Sequence, residues 1–267
     1  MQSIRIKTSS PAGDVLAMLA GVKELVNQIG VKAIIYQRLN MKGIAHDGAK
    51  HEFKDNDNDP ICMNEYMFNM LKPLLLEQDY IEDYIIFDGQ KYEYDFDKAR
   101  MEIFTNQPRG SLNRWLFYVY PQCSTNLSGR WLKVDKTEKF KDKILINQTD
   151  RYRNYLLNYY FLKKYEQHII FTGLYNEYEK FCETWDIEVP YLWVDNFLEL
   201  AKVIKSCKFF VGNQSSCFQI AEALKIPRLL EISPNLPNVI PIGENAYDAY
   251  HQEHIEFLFA KLYNITK

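Results

Sequence analysis

The segment from Ile4 to Tyr36 constrains the fold most. Ile4 and Ile6 alternate with polar residues, as in a half-buried strand, and Thr8 to Gly13 supply turn chemistry. From Asp14 the pattern becomes helical: Val15, Leu16, Leu19, Val22, Leu25, Val26 and Ile29 recur at three- and four-residue spacing. Gly30 supplies a stop, and Lys32 to Tyr36 reads as a second strand. A strand–loop–helix–strand unit predicts the opening of a parallel α/β sheet.

The alternation returns in the second half. Strands are expected at Lys143–Ile146, His168–Thr172, Tyr191–Val194, Lys208–Val211 and Arg228–Glu231. Helices are expected at Asn154–Tyr165, from Glu177 to about Trp185, at Phe197–Lys205 and Ser216–Leu224, and finally from about His251 to Leu262. Between the halves, residues 40–61 read as a polar loop, Asn64–Leu75 as a helix and Tyr84–Phe87 as a strand, while residues 88–130 carry no clear pattern. Arg130–Lys143, with six basic and three acidic residues, reads as a solvated connector. The expected fold class is α/β, with two Rossmann-like lobes: residues 1–140, residues 141–250, and a C-terminal helix in 251–267 free to pack back on the first lobe.

Composition narrows the function. A chain of 267 residues with 47% hydrophobic residues can bury a real core. A formal net charge of -3 argues against a general nucleic-acid binder. The five cysteines, Cys62, Cys123, Cys182, Cys207 and Cys217, form no C-x-x-C pair, so neither a zinc site nor a disulfide framework is expected. The five histidines form no ligand cluster by spacing, and Asp55-Asn56-Asp57-Asn58-Asp59 reads as a solvated loop rather than a cation site. The N-terminus reads as a strand and not a signal peptide, and no apolar run approaches the roughly 20 residues that span a bilayer, so a cytoplasmic protein is expected, with peripheral association at the inner membrane face left open.

Two strand-to-helix loops stand out, because ligands of open α/β sheets bind beyond the carboxyl ends of strands. In Thr8–Asp14, Ser9, Ser10 and Gly13 permit tight turns and close ligand approach. Asp14 then serves either as an N-cap or as a base that accepts a proton from a hydroxyl. In Phe210–Gln219, Ser215 and Ser216 place small hydroxyls and unpaired N–H groups at a helix start, which suits either capping or a diphosphate.

Together the two loops resemble glycosyltransferase family 9, the ADP-heptose:lipopolysaccharide heptosyltransferases. The match is Lys7-Thr8-Ser9-Ser10 followed by Gly13-Asp14-Val15-Leu16, with Pro11-Ala12 where the family usually has one residue. The second hallmark, D-[ST]-G-x-x-H and then A-x-A-L-x-x-P, corresponds to Gln214-Ser215-Ser216-Cys217-Phe218-Gln219 and Ala221–Pro227. The resemblance implies a GT-B fold with a cleft between its lobes. It also implies inverting, metal-independent sugar transfer from a nucleoside-diphosphate sugar, with no further cofactor. It assigns Asp14 as the base and the Gln214, Ser215, Ser216 and Gln219 region as the donor diphosphate site. Thr149 and Arg153 are placed near the donor phosphates, and Glu177 near the nucleoside. Gln214 and Gln219 stand where the family has Asp and His, so donor identity is not inherited. Residues 40–140 carry no resemblance, which leaves the acceptor open among a glycan, a lipid-linked glycan and a modified nucleic acid. Two other functions fit the same fold: a DNA-modifying sugar transferase, with Arg109, Arg114 and the Arg130–Lys143 stretch as its basic surface, and a non-catalytic, degenerate binding module.

Overall fold

The computed structural model describes residues 3–43, 54, 55, 57–100 and 110–266. The chain divides into two compact units, Met1–Lys133 with Asn196–Leu198, and Val134–Asp195 with Glu199–Lys267.

The first unit is built as the opening pattern requires. β1 (Ile4–Thr8) leads into α1 (Ala12–Ile29), which returns to β2 (Ala33–Gln37). Val15, Leu16, Leu19, Val22 and Leu25 are buried, whereas Ile29 at the helix end is exposed. Gly30 closes the helix, its N–H bonding Val26 O at 2.8 Å. α2 (Glu65–Leu76) is capped by the Asn64 side chain and precedes β3 (Ile81–Ile86). β4 (Tyr94–Asp95) and the short helix α3 (Trp115–Val119) fall in the stretch that lacked a pattern. The four strands are all parallel, in the order β3-β2-β1-β4.

The second unit has a six-stranded parallel sheet. Its strands are β5 (Ile144–Asn147), β6 (Ile169–Thr172), β7 (Tyr191–Leu192), β8 (Phe209–Gly212), β9 (Arg228–Glu231) and β10 (Ala246–Ala249). The order is β10-β9-β8-β5-β6-β7. β5, β6, β8 and β9 are buried throughout, which explains the near-continuous apolar runs of β5, β6 and β8. Helices α4 (Tyr175–Trp185), α5 (Phe197–Ser206), α6 (Ser216–Leu224) and α7 (Gln252–Ile265) belong to this half of the chain.

The terminal helix α7 buries Ile255, Leu258, Phe259 and Leu262 in the core built on β5, β6 and β8. Two expectations need correction. The connector is not simply solvated, since Trp131, Leu132 and Val134 are buried and Trp131 Nε1 donates to Leu16 O at 2.9 Å. The helix expected at Asn154–Tyr165 is absent; turns lead instead into a 3₁₀ segment, Tyr160–His168. Here tertiary bonds override helix propensity. Asn154 N is taken by Glu231, Asn154 Nδ2 donates to Tyr250 O, and Asn154 Oδ1 accepts from Leu156 N in a local turn.

Candidate functional site

Strand order locates the candidate sites. In the first sheet the chain runs from β1 outward to β3, then returns to place β4 on the other side of β1. In the second it runs from β5 outward to β7, then returns to place β8 on the other side of β5. Loops leaving the two strands at such a reversal diverge and open a crevice at the carboxyl edge. Both loops singled out in the sequence leave strands of this kind, β1 and β8.

At the β1–β4 switch, register sets Lys7 opposite Asp95. Lys7 Nζ lies 2.9 Å from Asp95 and 3.3 Å from Asp97. Burial pulls the Lys7 ammonium down, but the Asp95 hydrogen bond and the Asp97 and Asp95 charges outweigh it and hold the pKa above its ordinary value. Asp97 also accepts from Ser9 N at 2.6 Å, and Ser10 N donates to Thr8 Oγ1 at 3.1 Å. From β2, Gln37 Nε2 donates to Ser10 O at 3.2 Å, while Tyr84 OH from β3 donates to Gln37 Oε1 at 2.9 Å. All four strands therefore fix the turn before α1.

Helix α1 begins at Ala12, with Pro11 in the N-cap position, so Asp14 is not the cap. Asp14 is the third helical residue, and Gly13 is helical rather than part of the turn. A carboxylate in the first turn is favoured by the positive end of the helix dipole. Asp14 also pairs with Arg100 at 2.8 Å and keeps 18% of its side chain exposed. Cys62 lies in the same field: burial pushes its thiol up, Arg100 opposes that, and Asp14 and Asp97 add to it. To accept a proton from a bound hydroxyl, the Asp14 oxygen must face substrate as well as Arg100.

At the β5–β8 switch, side-chain amides zip the two loops together. Asn213 Oδ1 accepts from Thr149 N at 3.0 Å, and its Nδ2 donates to Thr149 O and Arg151 O at 2.9 and 2.6 Å. Asn147 Nδ2 donates to Thr172 O, and Asn147 Oδ1 accepts from Ser215 Oγ at 2.7 Å. The Ser215 hydroxyl also accepts from Phe218 N, which makes it the N-cap of α6. A side chain at Gly212 would place its Cβ 2.5 Å from Asn147 O, so only glycine allows β5 and β8 to run this close at their ends.

The structure divides the sequence-predicted residues into two groups. Ser9, Ser10, Gly13 and Asp14 lie in the first unit; Thr149, Arg153, Glu177, Gln214, Ser215, Ser216 and Gln219 lie in the second. Several of the latter build loops rather than face outward. Gln214 Nε2 donates to Leu236 O and Asn238 Oδ1, and its Oε1 accepts from Ser233 N. Glu177 is buried, accepting from Asp150 N at 3.0 Å and Leu174 N at 3.3 Å. Its carboxylate is therefore engaged by loop backbone and is not solvated. The Thr149 hydroxyl donates to Arg151 O, and Gln219 is only 2% exposed. The groups left near the surface are Ser216, the partly exposed Arg153 and the first N–H groups of α6.

Sequence reasoning missed Arg100, Asp97, Gln37, Asn147, Asn213 and Glu231. For Asn147, Asn213 and Glu231 a signal existed: each is a polar residue within or directly after a run of buried apolar strand residues. In the Asp55 loop, Asp55 Oδ1 accepts from Asp57 N at 3.0 Å and Asp59 N at 2.8 Å. Arg109, His46 and His51 lie outside the described residues. Among the described residues no group of three His, Cys, Asp or Glu could hold a metal ion, and no helix is long and apolar enough to cross a membrane.

The fold has solved counterparts. The chain is similar to the ADP-heptose lipopolysaccharide heptosyltransferase II of E. coli, with a TM-score of 0.62, 13% identity and 100% of each chain covered. It is similar to a glycosyl transferase family 9 protein of Veillonella parvula, with a TM-score of 0.62 and 11% identity over 99% of this chain and 98% of that one. The E. coli heptosyltransferase WaaC, solved with ADP, matches with a TM-score of 0.62 and 12% identity over 98% of this chain and 100% of that one. No protein-family model and no curated protein matches the chain.

Proposed function

We propose that the protein is a glycosyltransferase that moves a sugar from a nucleoside-diphosphate sugar to an acceptor hydroxyl. One observation carries the reading: in a chain whose fold follows known heptosyltransferases from end to end, a partly exposed carboxylate, Asp14, stands at a switch point in the first turn of α1. The acceptor binds on the first unit and the donor on the second. Asp14 takes the proton of the acceptor hydroxyl as that oxygen forms a bond to the anomeric carbon. The bond from that carbon to the diphosphate oxygen breaks on the opposite face, so a single displacement inverts the anomeric centre. The start of α6 and Arg153 stabilise the departing diphosphate through oriented N–H groups and charge. The reading calls for no metal, so transfer should survive a chelator.

The test uses a panel of nucleoside-diphosphate sugars, read by thermal shift and by nucleoside-diphosphate release with glycan acceptors. General-base catalysis is worth about 10²–10⁴ in rate. Asp14→Asn should therefore lower turnover by about that factor while leaving donor affinity within about twofold. Undiminished turnover in that variant removes Asp14 from the mechanism. A wild type that binds no donor overturns the reading and favours a non-catalytic module.

A further inference from the structure

Glu231 ends β9 with its carboxylate fully enclosed, at 0% exposure. A buried carboxylate is costly unless donors surround it. Four do, and all come from the loop that follows β5 or from its continuation. Oε1 accepts from Arg153 Nε at 3.2 Å and Asn154 N at 2.6 Å, and Oε2 accepts from Gln148 Nε2 at 3.1 Å and Tyr159 OH at 2.7 Å. Burial holds the Tyr159 phenol well above its ordinary pKa, and the Glu231 charge adds to that, so Tyr159 stays a donor.

From this arrangement we propose that Glu231 is a positioning residue for nucleotide binding, acting through Arg153; the proposal rests on the sugar-transfer reading above. A guanidinium has five N–H donors in a rigid plane. Glu231 takes the Nε–H nearest the chain. That fixes the plane and leaves the terminal nitrogens to meet phosphate oxygens. Because Glu231 belongs to a buried central strand, Arg153 is aimed by the sheet and not by its own loop. No such role is assigned to the Oε2 side, where Gln148 and Tyr159 bind.

A double-mutant cycle tests this, with ADP, GDP, UDP and CDP as probes by calorimetry on the full chain. Arg153→Gln should weaken the nucleotide that binds by about 10-fold or more, the loss of a charge-assisted bond to phosphate. Glu231→Gln should weaken it by a comparable factor, because an amide cannot accept from both neighbours. The double variant should match Arg153→Gln within about twofold. Glu231→Asp, which keeps the charge but draws it back by one methylene, replaces Glu231→Gln if that variant does not fold. Tyr159→Phe should lower the melting temperature yet leave affinity within about twofold. Multiplying factors in the double variant, or a Tyr159→Phe loss equal to that of Glu231→Gln, would show a merely structural carboxylate and overturn the proposal. A wild type that binds none of the four nucleotides overturns the sugar-transfer reading, and this proposal falls with it.

Discussion

Ser215→Ala removes one oxygen that serves two partners. As the N-cap of α6 the hydroxyl accepts from Phe218 N at 3.2 Å, and as a donor it meets Asn147 Oδ1 at 2.7 Å. Loss of a serine cap costs about 1 kcal/mol. Asn147 is 1% exposed, so its abandoned oxygen finds no water and adds about 1–3 kcal/mol. The expected destabilisation is about 2–4 kcal/mol, read as a fall in the urea midpoint at unchanged slope. Ser215→Thr keeps both bonds and should recover most of it. Placed on an Asn147→Ala background, Ser215→Ala should cost only the cap, about 1 kcal/mol, because no orphaned oxygen remains. A cost below about 1 kcal/mol in the native background, or an equal cost in both backgrounds, would refute the view that one hydroxyl ties the β5 end to the start of α6.

Other outcomes follow from neighbouring features. Gly212→Ala drives a Cβ to within 2.5 Å of Asn147 O and 2.9 Å of the Phe210 ring, so it should destabilise by more than the roughly 1 kcal/mol of an average substitution, as measured by urea unfolding. Lys225 is buried against Glu222 and Arg228, and desolvation lowers its ammonium to about 8, only partly offset by Glu222. The folded chain therefore releases this proton from about pH 8 upward, while the unfolded chain holds it to the ordinary lysine range. The unfolded state binds more protons in that window, so stability rises with pH there. Lys225→Met should lack the rise, and a wild-type-minus-variant difference that stays flat from pH 7.5 to about 10 would contradict the sign.

Much of the scaffold was legible in the amino-acid order, for a physical reason. Strands buried on both faces tend to be apolar at successive positions, and β5, β6 and β8 are, whereas β9 sets Leu229 and Leu230 between Arg228 and Glu231. β4 and β10 escaped notice because Tyr94–Asp95 and Ala246–Ala249 are mostly half-buried and carry no apolar run. Asp14 was legible as a carboxylate at a strand-to-helix turn; its neighbour Arg100 was not, because no local spacing links residues so far apart in the chain. The loops at the β5–β8 switch taught a different lesson. Glutamine, serine and glutamate after a strand read alike whether they face a ligand or wire two loops together. For Gln214 and Glu177 the wiring won, since a buried loop backbone must find partners for its N–H groups.

The switch point beside β1 also sets a timetable for synthesis. Ser9 is made well before Asp97, which fixes its N–H and follows 88 residues later. At roughly 5–20 residues per second, that interval lasts on the order of 4–18 s. Until β4 arrives, one edge of β1 has no strand to pair with, and an open edge invites pairing with other chains. The loop that holds the proposed base is thus made before the strand that completes it. Chains truncated before Asp95 should carry every residue of the Ser9–Asp14 segment and still be prone to aggregate through that edge.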